Sequence, residues 1–389
     1  MECGVESDAP EAAGKALQLQ AMSASPSSSS SAALQPSATA LRWQNWLSSV
    51  LLVAVACAIY ALSPFNRRQL DHYYGTVSVL FSGLQFLLSS ALVYCVLLGL
   101  YFLLLDRAPQ ASKSLRLMRL LARCARGPRQ LLRQGLSADD RLVLFTALLK
   151  AFFGPMMVLS LMDFCLGAWR NGSAIVESGI LAQDFRTVFD RHGFWFALQL
   201  IFFVDVLVFT IGYLVELPRL GNQIRSVETT LVGWLAALAC YPPFNLLTAA
   251  ILGSYKSEFP KFADPTVHLL ANGLGLTLMA IYAAASVALG FKASNLTHRG
   301  IVARGPYAIV RHPAYVCKNA AWWIGASPFI QQAFQTSTFE GLQALGSMAG
   351  WTAIYALRAL TEEDHLRRVD GDYEVYARKV RYRFIPGLI

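Results

Sequence analysis

Thr297-His298-Arg299-Gly300-Ile301-Val302-Ala303-Arg304-Gly305-Pro306-Tyr307-Ala308-Ile309-Val310-Arg311-His312-Pro313-Ala314-Tyr315 is the longest polar, Gly- and Pro-punctuated segment in the second half of an otherwise apolar chain. It holds three arginines, two histidines, two prolines and two tyrosines between two hydrophobic runs. Gly300 and Gly305 permit backbone shapes that other residues resist. Pro306 and Pro313 fix φ and remove donors, so the segment bends. Arg311 and His312 then stand at the mouth of the next apolar run. The simplest physical reading is a folded polar lid over the end of a membrane helix.

The composition agrees. Hydrophobic residues make up 55% of the 389 and charged residues 15%, against about 25% charged in soluble domains; the mean hydropathy is +0.43. The expected fold class is therefore all-α: a polytopic membrane bundle of about eight transmembrane helices, each near the ~20 residues a bilayer needs. The spans are Trp46–Leu62, Val77–Leu105, Leu142–Leu161, Phe194–Val215, Leu231–Gly253, Val267–Phe291, Ala320–Ile330 and Gly341–Leu360. Tyr241-Pro242-Pro243 must kink the fifth or end it early. The short seventh pairs with the eighth in a hairpin through Gln331–Glu340. Residues 1–40, rich in Ser, Ala and Pro, read as a disordered tail. Residues 41–230 hold the N-terminal membrane helices and residues 231–389 a membrane core with a polar C-terminal tail. The seven cysteines are scattered without a C-x-x-C pair, which gives neither a disulfide framework nor a zinc site. No signal peptide is evident.

The net charge of +9 could suggest nucleic acid, but the arginines cluster between apolar runs as the positive-inside rule expects. The loop 107–141 carries nine Lys/Arg against Asp139 and Asp140. Placing it in the cytoplasm puts both termini, Lys292–Asn319 and Thr361–Ile389 there as well. Arg116, Arg119, Arg123 and Arg126 recur at helical spacing opposite Leu117, Leu120, Leu121 and Cys124. That pattern is an amphipathic helix on anionic lipid or a solvated basic loop that only fixes topology.

Gly305-Pro306-Tyr307, then Arg311-His312-Pro313-Ala314-Tyr315, resembles the G-x-Y-x-x-x-R-H-P-x-Y signature of integral-membrane methyltransferases, the isoprenylcysteine carboxyl and phospholipid N-methyltransferases. One hairpin later Arg358-Ala359-Leu360-Thr361-Glu362-Glu363-Asp364-His365-Leu366 resembles that family's R-x-x-x-E-E-x-x-L. The likeness covers roughly Val267 to Ile389. It implies a cytoplasmic S-adenosylmethionine site formed by the C-terminal segments. It also implies a lipophilic or lipidated acceptor (a carboxylate, amine or thiol) drawn from the membrane lipids around the chain. By this likeness the backbone of Arg299, Gly300, Ile301 and Val302, with Tyr307, His312, Pro313, Tyr315 and Glu362, holds the cofactor, Glu362 taking its ammonium. Arg358 holds the substrate anion. Residue chemistry alone leaves another reading open, in which Arg358 and Glu362, one turn apart, form only a helix-end ion pair.

Cys317 departs from the pattern, standing where the family usually has glycine. Lys318 follows, and a lysine entering a span is costly unless used. It either snorkels to the interface or receives an anionic group of the substrate. The basic, aromatic ending Tyr376–Pro386 is a lid or an interfacial anchor, and resembles the ending of membrane sterol reductases. An NADPH-dependent reductase is therefore the alternative enzyme, and a scaffold or transporter the alternative outside catalysis.

Overall fold

The computed structural model describes residues 36–76, 79–177, 179 and 184–388. The disordered tail inferred for residues 1–40 lies outside the described residues as far as 35. Helix α1 (Ala38–Leu62) already starts within the last stretch assigned to that tail, because the Ser37 hydroxyl accepts the Ala40 N–H and caps it. The fold is mostly helical, and among the described residues five helices are long and apolar enough to cross a membrane: Ala38–Leu62, Gly83–Leu105, Ala138–Glu177, Phe185–Leu214 and Pro265–Lys292. The chain is a membrane protein by that measure, with fewer qualifying spans than the eight read from hydropathy.

The differences have local causes. After α1 and the short α2 (Arg67–Asp71), an antiparallel hairpin of β1 (Tyr73–Thr76) and β2 (Val79–Ser82) occupies the start of the second expected span. Helix α3 (Gly83–Gly99) begins only where Ser82 and Gln85 form a capping box, and it continues in wider turns to Leu105. The basic loop folds into α4 (Lys113–Arg126) and α5 (Pro128–Gln134). The apolar stripe of α4 packs inward only in part, and Leu121 stays exposed. Leu117 and Leu120 are buried against Val143 and Leu52, while Arg116 and Arg123 pair with Asp139 and Asp140. Helix α6 (Ala138–Glu177) is far longer than the expected span and packs along α8 (Phe194–Leu214), which the four-residue α7 (Phe185–Val188) precedes. The two are locked where the Phe153 and Tyr213 rings stack at 5.2 Å.

The fifth expected span is two short helices, α9 (Leu231–Leu238) and α10 (Phe244–Leu252), broken at the Tyr241-Pro242-Pro243 turn, whose Pro242–Pro243 bond is cis. At 8 and 9 residues neither reaches across a bilayer that needs about 20. Helix α11 (Pro265–Leu289) follows, then α12 (Pro313–Thr336) and α13 (Thr338–Val369). These last two are long enough. Polar residues along them, Lys318, Asn319, Gln331 and Gln332 on one and Glu340, Gln343 and Ser347 on the other, leave them less apolar than the other long helices. The expected loop Gln331–Glu340 shrinks to Ser337, whose hydroxyl accepts the Glu340 N–H at 3.1 Å. The turn is that tight because Gly341 has no Cβ, which would lie 2.2 Å from the Phe334 ring.

Two placements prepare the site. Strand β3 (Ser226–Val227) pairs with β4 (Thr297–His298), and Arg299 Nη1 donates to the Asn222 carbonyl at 2.8 Å. Lys113 pairs with Glu216 and donates to the Ile224 carbonyl. The basic helix α4 and the Thr297–Tyr315 segment thus lie at one end of the bundle. Halfway along α12, the Ser257 N–H donates to the Gly325 carbonyl at 3.1 Å, so the chain between α10 and α11 lies against the helix itself. A Cβ at Gly325 would stand 2.2 Å from the Ser257 carbonyl oxygen, whereas Gly273 has nothing within 4 Å. Gly325→Ala should therefore destabilise the folded protein by about 1–3 kcal/mol, while Gly273→Ala should be near neutral or slightly stabilising. Thermal unfolding of the detergent-solubilised variants checks this, and equal midpoints would overturn the packing described.

Candidate functional site

Two sequence-distant segments meet here. The Thr297–Tyr315 segment runs along the end of α13, and helix α14 (Asp372–Lys379) brings the chain's last residues back over both. The Arg311 and His312 N–H groups donate to the Tyr382 and Arg383 carbonyls, each at 3.0 Å, and Phe384 lies 5.8 Å from the His312 ring. The basic ending therefore packs over both segments. Between these elements is a cavity of about 210 Å³.

Glu363 fastens its edge. It is fully buried. Its Oε1 takes His312 Nε2 at 3.2 Å and Arg383 Nε at 3.0 Å; its Oε2 takes Arg367 Nη2 at 3.0 Å and Arg383 Nη2 at 2.9 Å. Arg311 Nε stands 3.1 Å from Oε1. Burial alone would raise this carboxyl. The hydrogen bonds from His312 and Arg383 and the charge of Arg311 outweigh it and hold the group well below the usual carboxylate range.

Glu362, one residue earlier, faces the cavity. Its Oε1 accepts the Tyr315 hydroxyl and lies 3.9 Å from Arg358 Nη2. The other oxygen has only His312 Nδ1, at 3.9 Å. The Tyr315 ring stacks on His312 at 5.5 Å, nearly parallel. Its other neighbour is the guanidinium of Arg358, 5.1 Å from the ring; Tyr355 and Tyr241 add rings at 5.4 and 5.6 Å. Arg358 is only 3% exposed. It donates from Nη2 to Asn295 Oδ1 at 3.1 Å, and its Nε has no hydrogen-bond partner. Asn295 is itself held by the Tyr213 hydroxyl on α8, at 2.8 Å from its N–H. A buried guanidinium boxed by aromatic faces with an unpartnered Nε has donors left over that an anion could accept.

Deeper, Lys318 does not snorkel. Its ammonium lies over Trp322, Tyr282 and Tyr355 at 5.3, 5.4 and 5.6 Å, a cation–π enclosure. Tyr282 donates to the buried Asp205 Oδ2 at 2.9 Å. Toward the outer wall, the Ser226 hydroxyl bonds His365 Nε2 at 3.0 Å, and His365 Nδ1 lies 3.6 Å from Glu228. That network ties β3 to α13.

Of the residues expected at the site, Arg299, Gly300, Ile301, Val302, Tyr307, His312, Tyr315, Lys318, Arg358 and Glu362 line this one cavity. Pro313 does not; it starts α12 as a buried first-turn proline. Cys317 is buried in α12 as a free thiol. No cluster of residues among those described could hold a metal ion. Sequence reasoning gave no role to Glu363, Asn295, Tyr241, Tyr282 and Tyr355. Glu363 stood within the E-E pair, and Tyr241 within the Tyr-Pro-Pro break, but only tertiary contacts show which acid faces inward. Compared with known proteins, the chain matches no family model, no curated protein and no solved structure.

Because the folded carboxyl of Glu363 titrates below the unfolded value of about 4.3, its ionisation stabilises the fold above that pH and ceases to as pH falls through and below it. Glu363→Gln should lower the thermal midpoint at pH 7 relative to wild type, and the gap should narrow below about pH 4.5. A gap independent of pH would remove the ionised carboxylate from the account.

Proposed function

We propose that the chain transfers a methyl group from S-adenosylmethionine to a lipophilic acceptor held in the membrane. The convergence of the Tyr307–Tyr315 and Arg358–Leu366 segments on one cavity carries this reading, with Glu362 and Arg358 one turn apart on its wall. The residues fit the cofactor: the partly exposed Glu362 carboxylate has a free oxygen for an ammonium, and tyrosine rings suit a cation. The cofactor supplies an activated methyl whose sulfur leaves as a neutral thioether. The protein's part is then alignment more than proton transfer.

Glu362 anchors one end of that alignment. Arg358, one turn deeper in its tyrosine box, orients an anionic acceptor through the donors it does not spend on Asn295. A carboxylate acceptor is already ionised at neutral pH, so no general base is required. The site end of the bundle, with α4, faces the cytoplasm on this reading, since that end carries the basic loop. Cysteines introduced at Arg119 and at Arg378 should be labelled only from the cytoplasmic side; outside labelling of either would reverse the orientation.

Glu362→Gln should weaken S-adenosylmethionine binding by about ten- to a hundredfold, the loss of a charge-assisted bond of roughly 1.5–3 kcal/mol. Arg358→Lys should keep cofactor affinity while raising KM for the acceptor or lowering turnover, because an ammonium cannot reproduce the planar fork. Labelled-methyl transfer to a membrane lipid extract, with the product identified by mass, gives both constants. Unchanged cofactor binding in folded Glu362→Gln, or a silent Arg358→Lys, would sink the corresponding assignment.

A further inference from the structure

Beside Gly300, at the polar edge of the cavity, two cations from different segments stand together, and a third, Arg304, lies by Gly290 in the turn that carries Lys292. Gly300 has φ +100, a backbone that favours glycine. The missing side chain leaves the space open. The point its Cβ would occupy lies 3.0 Å from Lys292 Nζ and 3.7 Å from both Cζ and Nη1 of Arg225. Arg225 comes from the residue before β3, whose N–H is fixed to the His298 carbonyl at 2.9 Å. Lys292 ends the turn after α11. Arg304, held by its Nε to the Ala288 carbonyl at 3.1 Å, is the third, and its charge and that of Arg225 both act on Lys292.

None of the three has a carboxylate partner among the described residues. His298, which feels both Arg225 and Lys292, gives its Nε2 to Asp370 at 2.8 Å, so that acid is engaged. Like charges gathered without a counter-ion repel one another. Arg225 and Arg304 are exposed and Lys292 is half-buried, yet an ammonium and a guanidinium converge on one glycine in the cavity wall.

We infer that Arg225, Lys292 and Arg304 form a binding site for a phosphate group of a ligand whose remainder enters the cavity. A phosphate monoester carries close to two negative charges and three acceptor oxygens, which suits an ammonium and two guanidinium forks better than the single charge of a carboxylate. The phosphate belongs either to a soluble nucleotide or to a lipid headgroup. The inference stands on the cations alone and does not depend on which group the enzyme transfers.

The test uses the full chain in nanodiscs. Two probes are titrated: adenosine 2′,5′-bisphosphate against adenosine in solution, and nanodiscs of phosphatidic acid against phosphatidylcholine, read by intrinsic fluorescence and thermal shift. One phosphate probe should bind, and the double variant Arg225→Gln/Lys292→Gln should weaken it at least about tenfold. Arg225→Lys alone, which keeps the charge, controls for folding and should lose less. Response to the bisphosphate assigns a nucleotide, and response confined to phosphatidic acid assigns a lipid. S-adenosylmethionine binding is measured on the same proteins. If neither phosphate probe discriminates wild type from the double variant, or if only S-adenosylmethionine binding falls, the cations serve another ligand and the inference is overturned. If wild type fails to bind S-adenosylmethionine yet binds phosphate through these residues, methyl transfer fails and the phosphate site stands.

Discussion

The candidate site depends on one buried carboxylate. Glu363 draws together Arg311 and His312 from the polar segment before α12, Arg367 from its own helix, and Arg383 from the chain's end. Two of these partners come from far along the sequence, so one side chain closes two loops, one to the segment before α12 and one to Arg383. Charges removed from water repay their desolvation only when geometry and hydrogen bonding are good. The bidentate bond from Arg383 and the flanking contacts satisfy both oxygens. The neighbour is set apart by this: with Glu363 turned inward and saturated, Glu362 faces the cavity, one oxygen accepting the Tyr315 hydroxyl.

What the sequence allowed to be read follows from that division of labour. The two motif segments were legible because Gly, Pro, Arg, His and Tyr have few reasons to crowd together at a membrane edge. Their residues do meet, Pro313 excepted. Which acid of the pair Glu362-Glu363 faces the cavity was not legible, since adjacent helical residues lie about 100° apart and only the position of Arg383, 20 residues on, decides between them. Lys318 was similarly open. Snorkelling and burial look the same in sequence until Tyr282, Trp322 and Tyr355 are brought around the ammonium from two other helices and its own.

Hydropathy and the helices divide the fifth expected span differently, for a related reason. A window over Leu231–Gly253 averages across a backbone break that Tyr241-Pro242-Pro243 announces, and the break is useful: it sets Tyr241 over Arg358. An unbroken helix would carry that ring on a regular helical face instead. The apolar stripe of α4 is covered by protein only in part. Amphipathicity shows that a face is buried, and both lipid and the flanks of α1 and α6 can cover it. The acids Asp139 and Asp140 at the start of α6, paired to Arg116 and Arg123, were the sequence signal for the protein surface.

The chemistry of the cavity is finally set by how unequally its two inner cations are satisfied. Lys318 has three rings and the nearby charge of Asp205. Arg358 has rings as well, but one side-chain acceptor at good distance and a buried Nε with none. An unsatisfied buried donor costs about 1–3 kcal/mol, more when it is charged. The fold carries that cost in the free protein, and an entering anion removes it. A neutral acceptor of the same shape would leave the guanidinium as short of partners as before, having also displaced any water that served it. On the methyl-transfer reading, discrimination between anionic and neutral acceptors thus comes less from attraction at the entrance than from this deficit at the cavity's inner wall. Glu362, at 3.9 Å from Nη2 and already accepting the Tyr315 hydroxyl, does not make up that deficit.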